Sequence, residues 1–220
     1  MECKCLVLAS SKGGAGKSTI CMVVAGRLAK QGVRVAVLDA DPNGTISSWH
    51  RDYAAEYPMT VVHEVEETEI VPRAEELMEG HDLVIIDTAG FGNRSTVYAL
   101  AVADHVLIPS QPSGSDLREA AKTIKMVQAA EKMTKRTIPA RVVLTRFNDR
   151  TKVAAHVLEQ LAGIGVERLQ TTVAHRTVYF EMTFSGQVPV GDAAGQEIDR
   201  LVAELAELGA VPSAKAAAVA

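Results

Sequence analysis

The stretch Cys5-Leu6-Val7-Leu8-Ala9-Ser10-Ser11-Lys12-Gly13-Gly14-Ala15-Gly16-Lys17-Ser18-Thr19 decides the fold. Its apolar run over residues 5–9 predicts a buried strand, its glycines a tight loop, and residues 18–30 a helix. Strand, glycine-rich loop and helix in that order make a phosphate cradle. Glycines let the backbone turn its N–H groups onto an anion, and the helix N-terminus adds its dipole. The ordinary pattern, G-x-x-x-x-G-K-[ST], is met in its second half by Gly16, Lys17 and Ser18. In its first half Ser11 replaces glycine, and Lys12 adds a cation five residues ahead of Lys17. Lys17 is expected to reach the β- and γ-phosphates and Ser18 to ligate Mg2+. Gly13, Gly14, Ala15, Gly16 and Thr19 complete the expected contacts.

Two further pieces follow. In Val35-Ala36-Val37-Leu38-Asp39-Ala40-Asp41-Pro42-Asn43 two carboxylates stand two residues apart. If the strand continues, both point to one side, where one could enter the Mg2+ shell and the other orient an attacking water. Read alone, Asp-Pro-Asn-Gly is also a turn cap. In Leu83-Val84-Ile85-Ile86-Asp87-Thr88-Ala89-Gly90 an acid ends an apolar strand, as in a Walker-B arrangement. Asp87 is there for magnesium, and Gly90 and Gly92 leave room for a loop that senses a γ-phosphate. The expected metal set is Ser18, Asp39 and Asp87.

The remaining chain supports a single α/β domain. Apolar runs at residues 5–9, 33–38, 83–86, 105–108 and 141–144, with 61–62 a weaker candidate, suit parallel strands covered on both faces. Helices are expected over 18–30, 69–79, 116–132, 151–161 and 197–208, with Gly32 and Gly80 as stops. Repeated β-α-β order predicts a doubly wound, mostly parallel sheet whose ligands bind beyond the carboxyl ends of the strands. The domain is expected to span 1–210 and a frayed tail 211–220.

The 220 residues carry a net charge of −4, with 47% hydrophobic and 23% charged residues, as in ordinary globular proteins. The charge is unevenly spread. Residues 64–79 hold seven Glu against one Arg, and residues 116–152 hold ten Lys and Arg against four acids. The three cysteines, Cys3, Cys5 and Cys21, are too few and too clustered for a disulfide scaffold, and apolar packing is expected of them. No signal peptide or membrane span is apparent, so a cytoplasmic location is expected.

Lys-Gly-Gly-Ala-Gly-Lys-Ser, Leu-Asp-Ala-Asp-Pro-Asn and Ile-Ile-Asp-Thr-Ala-Gly together resemble the deviant Walker ATPases, and within them the ParA partition ATPases. The stretches at 106–113, 144–151 and 171–186 agree, so the resemblance covers about residues 4–208. With the phosphate loop starting at residue 10, it looks like the small, ParF-like type without an N-terminal helix-turn-helix domain.

The resemblance implies a P-loop ATPase of the MinD/ParA type that uses ATP and Mg2+ and forms a homodimer around two ATP molecules. Lys12 would cross the interface to the partner's nucleotide, as an arginine finger does. Asp41 is the leading candidate to orient water, with Asp39 close behind. ATP would favour the dimer and ADP the monomer, with slow turnover until a separate adaptor or centromere-binding protein stimulates it. ATP-bound relatives bind DNA without sequence preference, which implies a nucleoid-associated location. Candidate phosphate contacts are Lys122, Lys125, Lys132, Lys135, Arg136, Arg146, Arg150, Lys152, Arg168 and Arg176, although His175 stands where an arginine is expected. The alternative expectation for Arg146, with Phe147, is an approach to the adenine.

The implied cargo is a plasmid or a protein assembly such as a chemoreceptor cluster, carboxysome or transfer complex. A MinD-like membrane-cycling ATPase is the main alternative, but the tail has a single charge and cannot form an amphipathic basic anchor. A nitrogenase-reductase-like protein would need cysteines after Cys21. A metabolic P-loop kinase does not account for Lys12.

Overall fold

The computed structural model describes residues 3–90, 94–163 and 166–213. Strands β1 (Lys4–Leu8), β2 (Val35–Ala40), β3 (Met59–His63), β4 (Leu83–Thr88), β5 (His105–Ser110) and β6 (Ala140–Leu144) form one sheet in the order β3-β2-β4-β1-β5-β6. All its pairings are parallel. Eight helices accompany them among the described residues: α1 (Lys17–Lys30), α2 (Thr45–Tyr53), α3 (Ile70–Gly80), α4 (Ser95–Val102), α5 (Gly114–Thr134), α6 (Lys152–Gly163), α7 (Val178–Ser185) and α8 (Ala193–Glu207). The doubly wound parallel sheet expected from the sequence is the fold observed.

Continuous apolar strands imply cover on both faces, and the sheet separates two cores. Leu6, Leu8, Val35, Val37, Leu83 and Ile85 pack with α1, α2, α7 and α8. Their neighbours Cys5, Val7, Ala36, Leu38, Val84 and Ile86 pack with α3, α4, α5 and α6. The two-residue period of a strand has a direct consequence for the acids. Asp39 continues the parity of Val35 and Val37, and Asp87 that of Leu83 and Ile85. Asp39 and Asp87 are register partners on adjacent strands, so both carboxylates arrive on the α1 side at one level of the sheet.

Several boundaries differ from expectation. β2 begins at Val35 and runs on through Ala40, and β4 runs on through Thr88, because their polar ends ladder with one another and are buried. The weak pair 61–62 lies within β3, an edge strand whose outer residues, such as Thr60 and His63, are exposed. Helices α2, α4 and α7 were not foreseen; α7 is rich in aromatic and β-branched residues of modest helix propensity. The tail does not begin at 211. Ala210 and Val211 pack into the core beside α8, at 2% and 3% exposure, so the packed chain reaches past the expected boundary. Residues 214–220 and Gly92 lie outside the described residues.

Candidate nucleotide site

The loop between β1 and α1 takes its shape from glycines that adopt left-handed backbone, Gly14 at φ 75° and Gly16 at φ 103°. Gly16 caps α1 with no side-chain hydrogen bond, which leaves first-turn N–H groups facing the loop for an anion. Three distant side chains fix the loop. Thr145 Oγ1 donates to the Ala15 carbonyl at 2.8 Å, Gln111 Nε2 to the Gly14 carbonyl at 2.7 Å, and Ser11 Oγ to Glu119 Oε2 at 2.6 Å. Gly90 closes over the front, where a Cβ would stand 3.1 Å from the Gly13 nitrogen. Lys17 is buried at 6% exposure. Burial pushes its ammonium pKa below the usual lysine value, against the opposing pull of Asp87 and Asp41.

The three acids occupy three different environments. Asp87 is fully buried; its Oδ2 accepts from Ser18 Oγ at 2.6 Å, and its Oδ1 has no hydrogen-bond partner among the described residues. Burial pushes its pKa up to about 7; Ser18 and Lys17 oppose the rise, while Asp39 and Asp41 add to it. A hydroxyl and a carboxylate side by side, with lone pairs unspent, match the hard oxygen donors that Mg2+ requires.

Asp39 departs from its expected place. It too is fully buried, but its Oδ2 accepts from the backbone N–H groups of Ile46 and Ser47 at 3.0 and 2.9 Å, at the start of α2. Its Oδ1 accepts from the Asp41 N–H at 3.4 Å. Expected as a metal ligand and a catalytic candidate, Asp39 in this structure accepts from three backbone N–H groups and so anchors α2 and the turn before it. Asp41 has left the strand, so the two carboxylates no longer share a face. Its Oδ1 accepts from the backbone and side-chain nitrogens of Asn43 at 2.9 and 2.8 Å, an Asx turn, and the residue lines the phosphate cavity. The turn-former reading of Asp41 is the one observed, and its place in the lining leaves it available to the cavity.

That cavity measures about 540 Å³ and is lined by Gly13, Gly14, Gly16, Lys17, Ser18 and Thr19 from the loop, with Asp41, Gly90 and Arg146 opposite. A more apolar cavity of about 210 Å³ adjoins it, walled by Ile20, Val173, Tyr179 and Phe180, with Ala15 at its edge. Arg146 borders both and holds a left-handed φ of 50°, its guanidinium 6.0 Å from the Phe180 ring centre. Phe147 does not join it, being buried in the opposite core beneath α6. Lys12 is absent from both linings. Its Nζ lies 2.7 Å from Asp116 Oδ2, and its side chain is 40% exposed. Burial pushes Asp116 up, but Lys12 and Ser113 outweigh it and hold the carboxyl below the usual range.

Sequence reasoning missed Gln111, Thr145, Asp116 and Glu197. Glu197 is buried and accepts from Arg176, from Tyr179 Oη at 3.1 Å and from the Ala174 N–H at 3.3 Å, so it fixes the wall of the apolar cavity. Gln111 and Thr145 each follow a strand end, which is the one local signal for them. Among the expected DNA contacts, Lys122, Arg136 and Arg176 are ion-paired with Glu119, Asp104 and Glu197. Lys125, Lys132, Lys135, Arg150 and Lys152 are exposed, with no ion pair among the described residues.

The model of the CobQ/CobB/MinD/ParA nucleotide-binding domain matches residues 6–190, a span that holds the loop, all three acids and most of both cavities. The chain belongs to this family. A ParA protein of Rhizobium radiobacter is 35% identical over 182 residues, 79% of each chain. The maintenance of carboxysome distribution protein A of Halothiobacillus neapolitanus is 29% identical over 211 residues, 91% of this chain and 95% of that one. Among solved structures, an ATP complex of McdA from Cyanothece superposes with a TM-score of 0.79 at 18% identity over 94% of this chain and 97% of that one. MinD of Aquifex aeolicus superposes at 0.76 with 19% identity over 93% and 97%. These family members share the fold of the ParA/MinD positioning ATPases.

Proposed function

We propose that this chain is a Mg2+-dependent ATPase that dimerises on ATP, binds DNA without sequence preference, and leaves it when an adaptor stimulates hydrolysis. The observation that carries this reading is the separation of its two loop lysines. Lys17 is buried in the phosphate cavity, while Lys12 stands outside it on the surface beside α5. A cation so placed serves little purpose for its own nucleotide and much for one held by a facing copy.

In this reading Lys17, Ser18 and the loop N–H groups grip the phosphates, and the apolar cavity with Arg146 takes the base. Ser18 and Asp87 hold Mg2+, which when bound neutralises charge on the phosphate oxygens. Asp41 orients the water that attacks the γ-phosphorus, breaking its bond to the bridging oxygen and yielding ADP and phosphate. Lys12 from the facing copy stabilises the charge that moves to that oxygen. Asp39 acts only through the turn that carries Asp41. The exposed Lys125, Lys132, Lys135, Arg150 and Lys152 supply the DNA surface, and a dimer doubles it.

The cargo is a plasmid, in keeping with the 35% identity to a ParA protein, or a protein assembly, in keeping with the 29% identity to a carboxysome-distribution protein. The deciding test is sedimentation velocity with ATP, ADP or no nucleotide, paired with retention on a DNA column across a salt series. A dimer and salt-sensitive retention are expected with ATP alone. Retention equal in all three states would remove the switch, and ATP-dependent binding to anionic vesicles would favour the MinD-like alternative.

A further inference from the structure

The contact between Lys12 and α5 is more elaborate than a surface ion pair. Asp116 lies in the first turn of α5 at 4% exposure, and its Oδ1 is buried without a hydrogen-bond partner among the described residues. Its Oδ2 receives the Lys12 ammonium at 2.7 Å, the Ser113 hydroxyl, and a long contact of 3.4 Å from Ser115, and the Gln111 backbone also favours the ionised carboxyl. Ser115 Oγ also lies 3.5 Å from the Lys12 nitrogen. One turn along the helix, Glu119 accepts from Ser11 through both its side chain and its carbonyl. The front of the phosphate loop is therefore docked on α5, and its cation is held by a buried carboxylate.

Helix capping alone does not explain Asp116. The cap is Ser113, whose hydroxyl accepts from the Asp116 N–H at 3.1 Å. An acid in the first turn complements the helix dipole, but a buried carboxylate is costly to keep once its cation leaves.

We propose that Asp116 is a positioning residue that clamps Lys12 in a resting place until the nucleotide of a facing copy outcompetes it. This deepens the reading of Lys12 as a residue acting across a dimer, and rests on it. Swinging away uncovers the carboxylate, so Lys12 moves only toward an anion that compensates more strongly. A triphosphate does so better than a diphosphate, because its charge and its γ-oxygens lie nearer the interface. The clamp thus converts the presence of the γ-phosphate into dimer affinity. When the competent conformer is a minor fraction, apparent affinity falls by that fraction. Two lysines per dimer apply the factor twice, so a clamp that favours rest by about 5:1, a competent fraction of about one sixth, weakens association roughly 36-fold.

The test compares the full chain with Asp116→Asn, which keeps the shape of the side chain and weakens its hold on the ammonium. With Mg2+ and ATP, sedimentation velocity should show the variant dimerising at a protein concentration roughly 10-fold or more below that of the unmodified protein, and partly dimerising with ADP. Asp116→Glu should return toward the unmodified behaviour. Amine labelling read by mass spectrometry supplies a signal that a helix cap would not move. In the nucleotide-free protein Lys12 should label more slowly than the exposed, unpaired Lys125, and the difference should vanish in Asp116→Asn. If both proteins dimerise with ATP along the same curve, the clamp is overturned while the ATP dimer stands. A protein that stays monomeric with Mg2+ and ATP overturns the trans-acting reading of Lys12, and the clamp with it. Should the asparagine variant fail to fold, labelling of the unmodified protein still decides, since Lys12 as reactive as Lys125 would overturn the clamp.

Discussion

Lys17 and Lys12 stand five residues apart in one loop, yet the two ends of that loop are built differently. The rear end rests on α1 and β4: Lys17 is at 6% exposure, Ser18 is bonded to Asp87, and Thr145 holds the Ala15 carbonyl. Every group needed to grip a phosphate lies within one chain. The front end rests on α5 through Ser11 and Lys12, and its cation points away from the cavity it borders. The rear gathers its phosphate-facing groups within one chain, whereas in the proposed dimer the front is half of a site that a second chain completes. Affinity should therefore track the rear and turnover the front.

The largest effect separates the two lysines. Lys12→Ala should leave ATP affinity within about threefold but lower turnover by roughly 10³-fold, the scale of a removed charge-stabilising finger. Lys17→Ala should do its damage at binding. Titration calorimetry beside steady-state phosphate release checks both, and full turnover in Lys12→Ala would erase the division.

The next effect belongs to the rear alone. The folded-state pKa of Asp87, about 7, lies above its ordinary value of 3.8. The folded protein therefore keeps a proton that the unfolded chain releases from about pH 4 upward. With fewer protons bound in the unfolded state, nucleotide-free stability falls as pH rises from about 4 to about 7 and then levels. The difference corresponds to something on the order of 4 kcal/mol. Asp87→Asn should flatten this slope and raise the melting temperature of the free protein at pH 8. Mg2+ with nucleotide should recover the stability of the unmodified protein at pH 8 more than at pH 6, because the metal needs the ionised carboxylate. Thermal melts at pH 5, 6 and 8 on both proteins measure it, and parallel slopes would show that Asp87 is not the titrating group.

Asp39 and Asp41 sharpen the same contrast at smaller scale. Asp39→Ala strands the N–H groups of Ile46 and Ser47 in the interior, a loss of about 2–4 kcal/mol in stability. Asp41→Ala should cost less than about 1 kcal/mol, since it forfeits only an exposed Asx turn, but it should trap an ATP-bound dimer visible by size exclusion. If the two variants exchange phenotypes, the water-orienting assignment passes to Asp39.

These two residues also show what was legible in the chain. Their spacing announced two carboxylates at a strand end, and period-two parity would have put both on one face. The strand stops at Ala40, so parity fails one residue later, and only tertiary contact with α2 decides which acid is consumed. The apolar runs, the glycine loop and Asp87 were readable because each is a local pattern whose chemistry lies in adjacent residues. Thr145, Gln111 and Asp116 were not, because they meet the loop across roughly a hundred residues or more of chain and carry no periodic signal of that meeting. The α7 wall was hidden for another reason. It is held by Glu197 and by the Trp49 indole donating to the Met182 carbonyl, rather than by its own helix propensity.

Gly90 offers the finest probe, because it touches the loop at Lys12 and Gly13, where front and rear join. A Cβ there would stand 3.1 Å from the Gly13 nitrogen and 3.5 Å from the Lys12 carbonyl carbon, both backbone atoms that cannot swing aside as a side chain would. Gly90→Ala must therefore displace either the β4 exit or the front of the loop by a few tenths of an ångström. Because Lys17 and Ser18 are anchored from α1 and Asp87, the displacement should fall on residues 12 and 13. The expected result is a loss of turnover of about tenfold, a rate cost near 1.4 kcal/mol, with ATP affinity changed by less than about threefold. An equal loss in both would mean that the loop moves as one body, and that the two lysines are not independently mounted.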